Sequence, residues 1–207
     1  NKTLSALRGV LECAWRSGTI SNEDYRRIEI KNARGKTEPA GRALASAEIE
    51  SIWNCLEKLP SQHAAMIAVM TACGLRRVEV VRLLQDDYDV KTGRLKARGK
   101  GDKERSIPVS TRWRAPIEAW WRQLRPGAFA FVGVSRRMVS YVIECLWRVN
   151  GLPAFTPHDL RRTFITRVLQ SGDTLIAQRL AGHESMNTTG IYDRRGHEAE
   201  DRAVEDL

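Results

Sequence analysis

Residues 156–168 read TPHDLRRTFITRV, and this stretch carries the clearest structural signal in the chain. Thr156 can cap a helix, Pro157 suits the first helical position, and the acid Asp159 follows three residues after the cap. Apolar residues then recur at helical spacing, namely Leu160, Phe164 and Val168. The pattern predicts an amphipathic α-helix that ends near Gly172.

The chain on the N-terminal side of this helix is also mainly helical in pattern. Ser46 is expected to cap a helix. Its predicted inner face comprises Ile49, Ile52, Trp53, Leu56 and Leu59. Residues 62–73 are apolar on most sides, which predicts a central helix that ends at Gly74. A further helix after Ser135 has four predicted inward positions, Val139, Val142, Leu146 and Val149.

Residues 88–109 interrupt the helical pattern with the alternation and turns of short strands. We predict strands over residues 88–91, 94–98 and 105–109, with turns at 92–93 and 99–102. The expected fold class is therefore mainly α with a small three-stranded antiparallel β-sheet (α+β).

An irregular stretch near the N-terminus suggests a domain boundary. Residues 31–45 have no clear period and contain two glycines and a proline. The expected organisation is a helical segment over residues 1–32, a linker over 33–45 and the main domain over 46–207.

Composition narrows the possible partners. The 207 residues carry a net charge of +9, and the pI is about 9.8, which favours a polyanionic partner. The longest apolar run, residues 64–70, is far shorter than the roughly 20 residues of a membrane span. The four cysteines form no CxxC pair, so we expect Cys55 and Cys73 to be buried thiols and no structural metal.

Three groups of residues combine charge with chemistry. Residues 91–105 hold seven basic residues and two acids. Arg76 and Arg77 follow a predicted helix end, with Glu79 placed to orient Arg76. His158 and Arg161 share one face of the helix described first. Guanidinium groups and helix N-termini both bind phosphate oxygens well.

Each group alone also has a plainer interpretation. The lysines can protect a sheet edge from aggregation, and the arginines can form surface ion pairs. His183 and Tyr192 close the series, and a tyrosine beside Ile191 is commonly half-buried packing. All the groups in this order are much harder to explain as surface residues.

The ordered set resembles the tyrosine recombinases, also called the phage integrase family. The matching pieces are ACGLRRVE at residues 72–79, GKGDKER at 99–105, HDLR at 158–161, GH at 182–183 and TTGIY at 188–192. The resemblance spans residues 46 to about 195. Residues 1–32 are more weakly similar to the C-terminal end of the family's core-binding domain, and residues 46–207 would be its catalytic domain with a C-terminal tail.

The resemblance implies a chemical role for each matching residue. Tyr192 would attack the scissile phosphate and form a 3′-phosphotyrosyl bond, with His158 helping to accept its proton. Arg76 and Arg161 would stabilise the transition state, His183 would donate a hydrogen bond to the phosphate, and Glu79 would fix Arg76. Lys100 would protonate the 5′ leaving oxygen, and Lys103 on the same turn is the alternative. Further DNA contacts are expected from Arg77, Arg98, Lys103, Arg105 and Arg162.

The resemblance also implies partners and a cellular setting. Four protomers would exchange strands of double-stranded DNA through a Holliday junction, with possible help from accessory DNA-bending proteins and without a metal or other cofactor. The setting would be the cytoplasm, at the nucleoid. Two alternatives stay open: a type IB topoisomerase, and a DNA-binding regulator without catalysis.

Overall fold

The computed structural model describes residues 2–28, 41–99, 104–170, 176, 179–180 and 204. Within them, the chain forms eight α-helices, one short 3-10 helix and three strands. The α-helices are α1 (Lys2–Arg16), α2 (Asn22–Arg27), α3 (Ser46–Leu56), α4 (Ser61–Cys73), α5 (Arg77–Val80), α6 (Thr111–Trp121), α7 (Arg136–Val149) and α8 (Pro157–Gln170). The 3-10 helix is Gln85–Asp87, and the strands are β1 (Tyr88–Asp89), β2 (Arg94–Arg98) and β3 (Glu104–Pro108).

The chain divides into two compact units, Asn1–Ala40 and Gly41–Leu207. The described part of the first unit is a helical pair. Ser21 caps α2 by accepting a hydrogen bond from the backbone N–H of Asp24 at 3.0 Å. Trp15 of α1 stacks on Tyr25 of α2, with ring centroids 5.1 Å apart.

Helix α4 lies at the centre of the second unit. Every residue from Ala64 to Cys73 is buried, and α4 packs against both α6 and α8. Large side chains of the flanking helices complete the core, among them Trp113, Trp121 and Phe164. The prediction of a central helix ending at Gly74 is confirmed, and Gly74 has the left-handed conformation (φ 57°) that ends many helices.

The three strands form one antiparallel sheet in the order β1-β2-β3, as the sequence predicts. Leu95 pairs with Tyr88 on one side and with Ile107 on the other, and all three side chains are buried. The prediction of a strand over residues 88–91 gives the wrong length, because β1 ends at Asp89. The chain turns there, and the Asp89 carboxylate accepts hydrogen bonds from Lys91 and Thr92.

Two details of the helix predictions are wrong. Ser46 is the first residue of α3 and not its cap, because the Glu48 carboxylate accepts a hydrogen bond from the backbone N–H of Ala45 at 2.9 Å and fixes the start one residue earlier. Val149 is 82% exposed, because α7 ends there and turns its last residue away from the core.

Helix α8 follows its prediction closely. Thr156 and Asp159 exchange hydrogen bonds at its start, and its three predicted apolar positions are buried. The predicted turn at 99–102 and the segment after Gln170 lie largely outside the described residues. Residues Ile176, Leu180 and Val204 are buried.

Two further expectations concern cysteines and membranes. Cys55 and Cys73 are buried free thiols, as predicted, and burial raises the pKa of Cys73 to about 12. Across the described ranges, no helix has the length and apolar character needed to span a bilayer.

Candidate active site

The site begins where the chain leaves α4. After Gly74 the backbone becomes extended at Arg76 (φ −73°, ψ 151°), and α5 starts at the next residue. Glu79 then accepts hydrogen bonds from the Arg76 backbone N–H at 2.7 Å and from Arg76 Nη1 at 3.0 Å. The acid three residues after Arg76 therefore holds both its backbone and its guanidinium.

A second arginine reaches the same place from α8. Arg161 is 7% exposed, and its Nη1 donates a hydrogen bond to the backbone carbonyl of Gly74 at 2.7 Å. This bond joins two stretches that lie 87 positions apart in sequence. Arg161 therefore lies beside the segment that carries Arg76.

The pKa of Arg161 reflects both its burial and the charges of its neighbours. The pKa of the Arg161 guanidinium is lowered to about 10. Burial is the main cause, and the nearby positive charge of Arg76 is the second. Arg105 acts in the same direction, and Glu79 opposes it. Because guanidinium groups with little water around them gain most from an anion, the arrangement suits a phosphate oxygen.

Gly74 precedes Arg76 by two residues and accepts the hydrogen bond from Arg161. There is no room for a side chain at this position. A Cβ atom at this position would lie 2.6 Å from Cδ1 of Phe164, besides being forced into the left-handed region. The glycine is therefore needed both for the backbone turn and for the close approach of α8 to α4.

We expect Gly74→Ala to lower the free energy of unfolding by about 2–4 kcal/mol, since backbone strain and overpacking add. Urea unfolding would measure it. Gly127→Ala is the matched control, because Gly127 has φ 73° and nothing within 4 Å of its would-be Cβ. Equal losses of unfolding free energy in Gly74→Ala and Gly127→Ala would show that the close contact with Phe164 does not contribute to the cost.

His158 lies on the first turn of α8 and is exposed. It lines an open cleft of about 420 Å³ between α7 and the start of α8. Arg77 lines the same cleft and donates from Nη1 to Ser140 Oγ at 3.0 Å. Polar groups from α5, α7 and α8 thus face one opening, beside the region that holds Arg76 and Arg161.

The first turn of α8 is fixed by a carboxylate. Asp159 accepts hydrogen bonds from Thr156 N–H and Thr156 Oγ1, both at 2.8 Å, and from the backbone N–H of Arg42 at 2.8 Å. Burial alone would raise the pKa of Asp159, but these hydrogen bonds hold it below its usual value. His158 and Arg161 are consequently carried by a helix start that is tied to residue 42.

Because the folded pKa of Asp159 is lowered, its contribution to stability is present above the unfolded pKa and is lost as pH falls through the folded pKa. We expect Asp159→Asn to cost about 1–2 kcal/mol of unfolding free energy at pH 7. The difference from wild type should shrink below about pH 4. Urea unfolding at several pH values measures this, with Asp86→Asn as an exposed control. A cost independent of pH would contradict the charge argument.

Two arginines expected to contact DNA are engaged within the protein. Arg98 pairs with Asp87 at 2.7 Å and with Glu104 at 3.1 Å. Arg105 donates from Nη1 and Nη2 to the two oxygens of Glu79, each at 2.8 Å, and its side chain is only 9% exposed. Glu79 thus engages both terminal nitrogens of Arg105, and the DNA contact expected of this residue stays a prediction. Arg162 is half-buried on α8.

The pairing of Arg105 with Glu79 was missed from the sequence. A signal was nevertheless present, because residues two apart in a strand share a face. Arg105 therefore shares its face of β3 with Ile107, which is fully buried. Lys100, Lys103, His183 and Tyr192 lie outside the described residues, so their predicted roles stay predictions.

Comparisons with known proteins identify the family of the chain. The family model for the "Phage integrase family" matches residues 42–198. The chain is 30% identical to the tyrosine recombinase XerD of Pseudomonas putida over 91% of its own length and 68% of that protein.

Solved structures share the fold at lower identity. An integrase from mycobacterium phage Brujita superposes with a TM-score of 0.67 at 22% identity, covering 99% of this chain and 70% of that one. The integrase of transposon Tn1549, solved in complex with circular intermediate DNA, gives a TM-score of 0.69 at 19% identity, covering 98% and 76%.

Proposed function

Because the chain belongs to the phage integrase family and is a tyrosine-type site-specific recombinase, we propose that it cleaves and rejoins double-stranded DNA through a phosphotyrosyl bond to Tyr192. The observation that carries the proposal is the hydrogen bond from Arg161 to the carbonyl of Gly74. It places the arginine of the HDLR motif beside the segment of Arg76. Two cations that the family uses on one phosphate thus come together in this fold.

The first chemical step is an in-line displacement at phosphorus. The Tyr192 oxygen forms a bond to phosphorus, and the bond from phosphorus to the 5′ oxygen breaks. His158 accepts the tyrosine proton, and Lys100, with Lys103 as the alternative, gives a proton to the leaving oxygen. Atoms and charge balance without a nucleotide cofactor, and attack by a 5′-hydroxyl reverses the step and reseals a strand.

The arginines act on the charge that the phosphate gains in the transition state. Arg76 and Arg161 would each donate to the non-bridging oxygens, and His183 would donate a further hydrogen bond. Preformed donors of this kind act strongly where water is largely excluded. The burial of Arg161 and the attachment of Arg76 to Glu79 supply such preformed donors.

The relatives favour recombination over the two alternatives. XerD of Pseudomonas putida is a tyrosine recombinase, and the Tn1549 integrase binds a circular DNA intermediate. We propose that this chain likewise acts on two DNA sites, as a tetramer that passes through a Holliday junction. A topoisomerase would relax one duplex, and a silent regulator would only bind.

The test uses suicide duplexes that carry candidate crossover sites with a nick beside the cleavage position, so that the released fragment is lost. Incubation in EDTA is followed by denaturing electrophoresis and by mapping of the attached peptide. A metal-independent adduct on Tyr192 is expected. Joining of two labelled sites distinguishes a recombinase from a topoisomerase, and binding without any adduct would favour the regulator.

A further inference from the structure

Arg105 occupies an unusual place for a basic residue of a charged hairpin. Its side chain is 9% exposed, although residues 91–105 carry a net charge of +5. Two of its nitrogens bind Glu79, and the third, Nε, donates to the backbone carbonyl of Leu180 at 2.9 Å. One guanidinium thus joins strand β3, helix α5 and the helical residue Leu180.

Glu79 is fully engaged by two arginines. Its Oε1 accepts from Arg76 Nη1 at 3.0 Å and from Arg105 Nη1 at 2.8 Å. Its Oε2 accepts from the Arg76 backbone N–H at 2.7 Å and from Arg105 Nη2 at 2.8 Å. The carboxylate is 1% exposed, so these donors, and not water, satisfy its four acceptor positions.

The two arginines bind Glu79 differently. Arg105 makes the bidentate side-chain pair, which is the stronger geometry, whereas the Arg76 side chain reaches Glu79 through one nitrogen and is 36% exposed. Burial alone would raise the pKa of Glu79, but Arg105 first and Arg76 second hold it below its usual value. The carboxylate is therefore ionised, and Arg105 neutralises most of its charge.

We propose that Arg105 is a positioning residue of the active site, which neutralises Glu79 so that Glu79 can hold Arg76 without cancelling its positive charge. Without Arg105, Glu79 and Arg76 would form a simple ion pair with no net charge. With Arg105, the three groups carry one net positive charge, and the more exposed guanidinium belongs to Arg76. This inference rests on the proposed function.

The geometry also explains why the residue is arginine. Lysine has one nitrogen and cannot bind both carboxylate oxygens and the Leu180 carbonyl from fixed directions. Arg105→Lys should therefore keep the positive charge beside Glu79 but only part of the contribution that Arg105 makes to the cleavage rate. Arg105→Gln removes the charge and leaves Glu79 to Arg76 alone.

The decisive variant is the double substitution Arg105→Gln with Glu79→Gln. It removes the buried negative charge together with its partner, and a glutamine at 79 can still accept from Arg76. Arg112→Gln is the matched control, because Arg112 makes a bidentate pair with Glu50 at 2.5 and 2.6 Å on another surface. The thermal midpoint of each variant shows whether it is folded.

Single-turnover cleavage at saturating suicide duplex gives the rate, and titration gives the DNA affinity. Arg105→Gln should cleave about 10- to 100-fold more slowly, as when the partner of a functional group is removed. The affinity should change by less than about threefold, because the Arg105 guanidinium is bound to Glu79 and DNA affinity is usually spread over many phosphate contacts. The double variant should recover most of the rate, Arg105→Lys should be intermediate, and Arg112→Gln should match wild type.

Inorganic phosphate provides a readout that needs no cleavage. At fixed ionic strength, Arg105→Gln should bind phosphate about fivefold more weakly than wild type, and the double variant should regain that affinity. Equal affinities in the three proteins would overturn the inference whether or not DNA is cut. If Arg105→Gln fails to fold, the phosphate affinities of wild type, Arg105→Lys and the double variant are compared instead.

The outcomes also separate this inference from the proposed function. A wild-type protein that forms no adduct, but shows the phosphate pattern, counts against the cleavage chemistry alone. Normal cleavage by Arg105→Gln, or a slow rate that a folded double variant fails to restore, counts against the role of Arg105 alone.

Discussion

Tyr192→Phe is expected to abolish covalent attachment of the protein to DNA, a loss of at least about 10⁴-fold in cleavage, since a nucleophile has no substitute in such a site. DNA binding should stay within about twofold, because one phenolic oxygen contributes little beside many phosphate contacts. The measurement is the adduct formed on a suicide duplex, together with a binding titration of the same variant.

The other tyrosines support this choice. The chain has four, and Tyr25 lies in the first unit, stacked on Trp15. Tyr88 is buried, and burial together with Glu118 raises its pKa, which makes it a poor nucleophile. Tyr141 is 60% exposed on α7, so Tyr141→Phe is the control and should cleave normally. An adduct that persists in Tyr192→Phe and maps to Tyr141 would refute the assignment.

The second large effect is expected from Arg161→Ala. Removing one preformed donor to a transition-state oxygen costs about 2.7–4 kcal/mol, or roughly 10²- to 10³-fold in rate. The rate of single-turnover cleavage at saturating DNA measures it. Arg161→Lys should recover a small part, because it keeps the charge without the forked geometry.

Loss of folding has to be distinguished from loss of catalysis in Arg161→Ala. The Gly74 carbonyl loses its donor, which costs about 1–3 kcal/mol of stability, but the substitution also removes the charge of Arg161 itself, whose burial is unfavourable and lowers its pKa. The net effect on unfolding should therefore be small. Arg167→Ala, on the same helix and bonded to Ser46, is the control. A rate within about fivefold of wild type in folded Arg161→Ala would remove Arg161 from the mechanism.

Local signals in the sequence were sufficient to predict the helix ends that carry the candidate site. The start of α8 is set by Thr156 and Asp159, three residues apart, and the end of α4 by a glycine in the left-handed conformation. The contact of Arg76 with Glu79 likewise spans three positions. Interactions of this range depend on local geometry alone, so spacing is enough to predict them.

Interactions over a longer range were not predictable in the same way. Arg105 and Glu79 are 26 positions apart, and a basic hairpin gives no reason to bury one of its arginines. Their pairing depends on how β3 packs beside α5. Ser46 was misplaced because a side chain two residues further on, that of Glu48, fixes the helix start. Lys100, His183 and Tyr192 were assigned by resemblance to the family.

The enclosure of α4 has a consequence for how the site meets its substrate. Since every residue from Ala64 to Cys73 is buried, we expect the backbone that leads to Arg76 to open only together with the core around α4. The conformational entropy of ordering the Arg76 backbone is therefore lost during folding and not on binding. The cationic surface is preorganised, so little reorganisation energy is added to the barrier when a phosphate arrives.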